Sequence, residues 1–257
     1  HITRSPNQCT NPRLMSSFVN EDTKKKKKLI NLSFVNYALS TRIKADPHRF
    51  YLSGKQTIYN ICQLLLQIDN GEHPLIESNP KFDIFAYSIG AFMSQIMIQA
   101  NPLNRFGNSK LFMFCGGSVF CKMNGNSKLI MDKESFQILN RYYKREFYGL
   151  FKKQEKIDAI DRAFISMIGT RALKKERKSF YLVSQDRIRI IALKHDKVIP
   201  IKGIKKALGG VWKICMEEMD FTYKYSHEAP FPINIKEKDS REYWFNEVFT
   251  RASAFLS

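Results

Sequence analysis

The run LFMFC at residues 111–115 is apolar at every position. A strand with one wet face alternates apolar and polar residues, so an unbroken run suits a strand covered on both faces, the usual setting of parallel sheets. FDIFAY at 82–87 and the start of DRIRIIALKHDKVIP at 186–200 read as two more buried strands, and VWKICMEEMD at 211–220 as a fourth. Helical spacing fills the gaps. LINLSFVNYALSTRI at 29–43 reads as a helix, and SGKQTIYNICQLLLQIDNG at 53–71 puts Ile58, Ile61, Cys62, Leu65 and Ile68 on one face. Ser53 is the expected N-cap of that helix and Gly71 its stop. Further helices are expected at 89–100, in GIKKALGG at 203–210 and in the amphipathic SREYWFNEVFTRASAFL at 240–256. Strands alternating with helices predict an α/β chain: a mostly parallel sheet with helices on both faces. With 257 residues, 44% of them hydrophobic, the chain can bury one large core of this kind.

A formal net charge of +18 raises nucleic acid, an anionic membrane surface or an acidic substrate as partners. Lys24 to Lys28 is the sharpest basic feature, but no nucleic-acid-binding module surrounds it, and it reads as a solvated loop or helix start. No run of 18 apolar residues signals a transmembrane helix, and no signal peptide is visible. A cytoplasmic protein is the expectation; the chain begins at His1, so a native start upstream stays open. The five cysteines are odd in number and form no CxxC pair, which reads as reduced core thiols. No cofactor and no metal are expected, because metal-ligand spacing, a phosphate loop and a dinucleotide fingerprint are all missing from the sequence. FCGGS at 114–118 lacks the Lys-Ser/Thr ending of a phosphate loop and reads as a tight passage near a pocket.

The stretch FAYSIG ends a strand on Ser88 and turns at once into a helix. A serine is a weak nucleophile unless a base takes its proton and an acid orients the base. The bend supplies the remaining need: Ile89 opens the helix with a free N–H for an oxyanion, reinforced by the helix dipole. Ala86 and Gly90 are small, as a crowded bend would require, and a helix-capping role for Ser88 is the plainer alternative. Asp196 follows the third strand and His227 lies in the loop after the fourth, in the order Ser, acid, His. Taken singly, they read equally well as a turn aspartate and a loop histidine. His195 should point away from its neighbour Asp196, while His48 and His73 sit in Pro-containing loops and read as surface residues.

FAYSIG around Ser88, LKHDKVIP around Asp196 and SHEAPF around His227 resemble the α/β-hydrolase superfamily over roughly residues 50 to 257. The resemblance implies one hydrolase core over 1–257 with a helical cap inserted at 121–180. It makes Ser88 the nucleophile, His227 the base and then the acid, and Asp196 the orienting carboxylate. The substrate would be a small acyl compound, an ester, thioester or amide, with no nucleic acid involved; the aromatic, basic cap would suit an acyl chain bearing a negative group. The first elbow position holds Ala86 where the family has Gly, and the family's early strands are not evident before residue 50. The second oxyanion donor would come from HITRSP, through the N–H of Ile2 or Thr3. The alternatives are a catalytically silent binding module of the same fold, or a basic binder of nucleic acid or membrane surface. The oligomeric state is not legible.

Overall fold

The computed structural model describes residues 34–152 and 157–257. Helices α1 (Phe34–Ala45) and α2 (Arg49–Asp69) precede β1 (Ile84–Tyr87), and α3 (Ile89–Ala100) leads from it to β2 (Leu111–Phe114). Four helices then intervene: α4 (Lys133–Arg145), α5 (Phe147–Phe151), α6 (Ala159–Ile168) and α7 (Lys174–Val183). β3 (Ile188–Leu193), α8 (Ile201–Leu208), α9 (Trp212–Cys215), β4 (Met216–Met219) and α10 (Lys238–Leu256) complete the chain.

The strands form one four-stranded sheet, all parallel, in the order β1-β2-β3-β4. Register places Ile84 beside Leu111, Leu111 beside Ile188 and Ile190 beside Met216. Both faces of the central strands β2 and β3 are buried, as the unbroken apolar runs require. Leu111, Met113, Ile188, Ile190 and Ala192 join the larger core with α2, α3, α6 and α8. Phe112, Phe114, Ile191 and Leu193 face the other way, onto Val248 and Ala252 of α10. Each such side chain contributes about 1.5–3 kcal/mol of burial, so the sheet is fixed from both sides. Among the described residues β1 pairs with β2 alone and is an edge strand, with Phe85 and Tyr87 exposed. Among them, too, no helix is long and apolar enough to cross a membrane.

Several expectations shift. Ser53 is not an N-cap: α2 begins at Arg49, and Ser53 lies inside it. The N–H of Tyr51, an orphan donor of the first turn, is satisfied by the hydroxyl of Tyr143 at 2.9 Å, a tertiary cap that local sequence cannot announce. Gly71 does stop the helix, with φ +73 just past the Asn70 C-cap. The fourth strand is shorter than expected, because Trp212–Cys215 makes a helical turn and only Met216–Met219 joins the sheet. That turn continues the 3-10 turn Gly209–Val211 that breaks α8, and Lys205 lies over the Trp212 ring at 4.0 Å. His48 is half-buried rather than free at the surface; its Nδ1 meets the Tyr142 hydroxyl at 2.8 Å within an aromatic cluster. Residues 29–33 of the first expected helix, Cys9 and the Lys24–Lys28 run lie outside the described residues. The other four cysteines are free thiols.

The bend after β1 is crowded at a different glycine from the one expected. A Cβ on Gly90 would meet nothing within 4 Å, whereas one on Gly116 would sit 2.2 Å from the Cβ of Ala91. Gly117, at φ +89, would press on Ile190 at 2.6 Å. The Gly116-Gly117 pair is thus the tight passage, letting α3 lie against the end of β2. Gly116→Ala is expected to lower unfolding free energy by about 1–3 kcal/mol, and Gly90→Ala to leave it within about 1 kcal/mol, in urea unfolding.

Candidate active site

β1 ends at Tyr87 and α3 starts at Ile89, so the chain reverses on Ser88 alone. The residue takes φ 53, ψ −122, a region that non-glycine residues avoid at about 1–3 kcal/mol. Its N–H still bonds the carbonyl of Phe114 at 3.3 Å, and its own carbonyl accepts from Ala91 and Phe92 in the first turn of α3. Those bonds hold the strained residue at the end of the sheet. Although Ser88 stands at the N-cap position, its side chain makes no capping bond. Oγ lies instead 2.6 Å from Nε2 of His227, which removes the capping alternative.

His227 follows β4, in a turn closed by reciprocal bonds between Ser226 and Ala229 of 3.3 and 3.2 Å. Its Nδ1 lies 2.8 Å from Oδ2 of Asp196. Asp196 follows β3 directly, its N–H bonding the carbonyl of Leu193. The other carboxylate oxygen accepts the N–H groups of Val198 and Ile199, both at 2.8 Å, which fixes the orientation of the acid. His227 is 3% exposed and Asp196 5%, so the pair is shielded from water. An ionised carboxylate only accepts, so Nδ1 carries the proton and Nε2 accepts from the serine hydroxyl. Ser88, Asp196 and His227 therefore form one continuous chain of hydrogen bonds. His195 stands apart, 63% exposed at its side chain and 3.4 Å from Asp220.

Ile89, as the first residue of a 12-residue helix, has no intrahelical acceptor for its N–H, which sits at the positive end of the helix dipole beside Oγ. Ile2 and Thr3, the other expected oxyanion donors, lie outside the described residues.

Three neighbours were not legible. The Tyr87 hydroxyl donates to the carbonyl of His227, and the two rings stack at 5.6 Å and 16°. The only local signal for this was the position of Tyr87 next to the serine. Glu228, beside His227, accepts the hydroxyl of Ser127, tying the histidine loop to the segment between β2 and β3. Burial pushes the Glu228 carboxyl up, but the bond from Ser127, the backbone N–H of Glu228 itself and the Ser226 hydroxyl outweigh it and hold the group below its ordinary value. Cys115, at φ 48, is the third, and with Asp196 and His227 it brings three ligating atoms within 4.8 Å of one another. A metal there would have to replace the hydrogen bond between Asp196 and His227. Burial, then the nearby Asp196 charge, pushes the Cys115 thiol well above its ordinary value, so it stays protonated and a poor nucleophile.

Two cavities meet at this point. One, of about 210 Å³, has Ser88 and Ile89 in its wall, with Leu39, Phe120, Phe136 and Val198 among its lining. The other, of about 440 Å³, lies along α2, α3 and α6 and shares Phe50 and Ile89 with the first.

The chain belongs to the DUF6051 family, a family of unknown function whose model matches residues 1–257. No curated protein and no solved structure matches it.

Because a thiolate is the reactive form and Cys115 is held as the thiol, iodoacetamide at pH 8 is expected to leave Cys115 unmodified in the native protein, as read by peptide mass mapping. Alkylation as fast as that of the unfolded chain would contradict the burial described here.

Proposed function

We propose that the chain is a serine hydrolase of the α/β-hydrolase type that cleaves an ester, thioester or amide through an acyl-enzyme on Ser88. The observation that carries this reading is the unbroken chain Ser88 Oγ, His227 and Asp196, at 2.6 and 2.8 Å, built on a strained serine that caps nothing. Three loop ends far apart in sequence meet there, and a purely structural role would not need their order or their geometry.

In this mechanism Oγ attacks the carbonyl carbon while its proton passes to Nε2 of His227. Asp196 stabilises the imidazolium and keeps its orientation. The carbonyl oxygen becomes an oxyanion at the N–H of Ile89. The tetrahedral adduct collapses as His227 returns its proton to the departing alcohol, thiol or amine, leaving the acyl group on Ser88. Water, deprotonated by His227, then attacks the acyl carbon, and Oγ leaves with the proton. The segment 121–180 serves as the cap over the site, with Met123, Ile130, Met131 and α4 in the cavity wall, and the bond between Ser127 and Glu228 joins that cap to the base.

Ser88→Ala is expected to lower kcat/KM on a panel of activated esters by about 10⁴-fold or more while the protein stays folded. Ser88→Gly should be equally inactive, and more stable than Ser88→Ala by about 1 kcal/mol, because glycine accepts the positive φ. Undiminished turnover in a folded Ser88→Ala protein would eliminate the mechanism. A wild-type protein that binds esters without turning them over would favour the silent binding module.

A further inference from the structure

Resting on the serine-hydrolase reading, we infer that the acyl group transferred to Ser88 is an uncharged hydrocarbon chain seated in the cavity of about 210 Å³. Ser88 and Ile89 stand in its wall, so an acyl carbon bonded to Oγ with its oxygen at the Ile89 N–H has its substituent directed into this space. The remaining lining comes from α1 (Leu39, Ile43), from Phe50 of α2, from Phe120 and its following segment, from α4 and from Val198-Ile199 after the catalytic acid. None of these side chains is charged, and Ser88 is the one that carries a polar group. A carboxylate placed there would lose its hydration without gaining a partner, a penalty that in practice excludes it.

The lysine of the neighbouring cavity does not alter this. Lys55 belongs to the neighbouring cavity, where its ammonium lies 2.6 Å from both Asp158 and Asp161. Burial favours its neutral form, but these bonds outweigh burial and hold the ammonium charged and fully matched. The anionic acyl group that a basic cap suggested finds no counter-ion among the described residues that line the Ser88 cavity. Polar groups have their partners in the larger cavity, which carries Ser53, Lys55 and Thr57.

The walls also set the shape. A Cβ on Gly125 would fall 2.8 Å from the Phe136 ring and 3.7 Å from the Met131 sulfur, so the glycine lets Phe136 and Met131 close this wall against the backbone. Met123 and Met131 also line the cavity, and flexible thioethers adjust to the length of a straight chain.

The test is kcat/KM for p-nitrophenyl esters from acetate to dodecanoate, with a dicarboxylic half-ester as the charged counterpart. The rate is expected to rise up to about fourfold per methylene until the cavity is filled, then to level or fall. The half-ester should be slower than the straight-chain ester of equal length by about 100-fold or more. Ile130→Trp, at a partly buried position in the wall, should lower the octanoate-to-acetate ratio about tenfold or more; Leu39→Trp narrows the cavity from another element and should do the same if the first variant fails to fold. Rates independent of length, or a half-ester as fast as its neutral counterpart, with turnover still lost in Ser88→Ala, would overturn the hydrocarbon pocket and leave the nucleophile reading standing. Turnover that survives Ser88→Ala, or no turnover of any ester, would overturn both.

Discussion

One imidazole ties the ends of three strands together. His227 reaches Ser88 across 139 residues and Asp196 across 31, and each bond depends on where a strand of the sheet stops. β1 delivers the serine, β3 the acid and β4 the loop of the histidine. Because the strands are parallel, their carboxyl ends lie along one edge of the sheet, where ligand sites of such folds occur. The double burial of β2 and β3 is thus a condition of the proposed chemistry: a strand free to slip by one residue would turn its apolar residues outward and carry its side chain out of reach of the other two.

The strain at Ser88 belongs to the same arrangement. A serine in a relaxed turn would put its hydroxyl on the helix N-terminus, where such groups cap best. At φ 53 the hydroxyl is turned to the base, while the backbone remains bonded to Phe114 on one side and to α3 on the other. Nearby Gly116 permits the close approach of α3 that this turn needs. The histidine is held as firmly, by Asp196 at one nitrogen, by Tyr87 at its carbonyl and by the Tyr87 ring against its face. A base fixed on this many sides needs little reorganisation when its proton moves.

What could be read from the sequence followed from patterns that are local. Unbroken apolar runs announced the parallel sheet; Ser88 and Asp196 could be named because each stands just past such a run, and His227 because it lies in the loop after the fourth strand, in the order serine, acid, histidine. Ser53 was misread because the start of α2 is satisfied by the hydroxyl of Tyr143, more than 90 residues away in the chain. Gly90 was misread for a related reason: its spacing from the serine suggested crowding, but the surface that approaches α3 belongs to Gly116. Cys115 gave no signal and Tyr87 only its position next to the serine, since their place beside His227 depends on how β1, β2 and β4 lie together. At residues 211–215 apolar content suited a strand and a helical turn alike, and the break of α8 at Gly209 decided for the turn.

The most direct measurement is covalent labelling by a small fluorophosphonate, with the adduct located by peptide mass mapping and its rate compared in His227→Ala. The account predicts one adduct per chain, on Ser88, formed about 10³-fold or more slowly without the imidazole. An adduct on another residue, or one on Ser88 that forms as fast in His227→Ala, would show that this serine is not activated by this base.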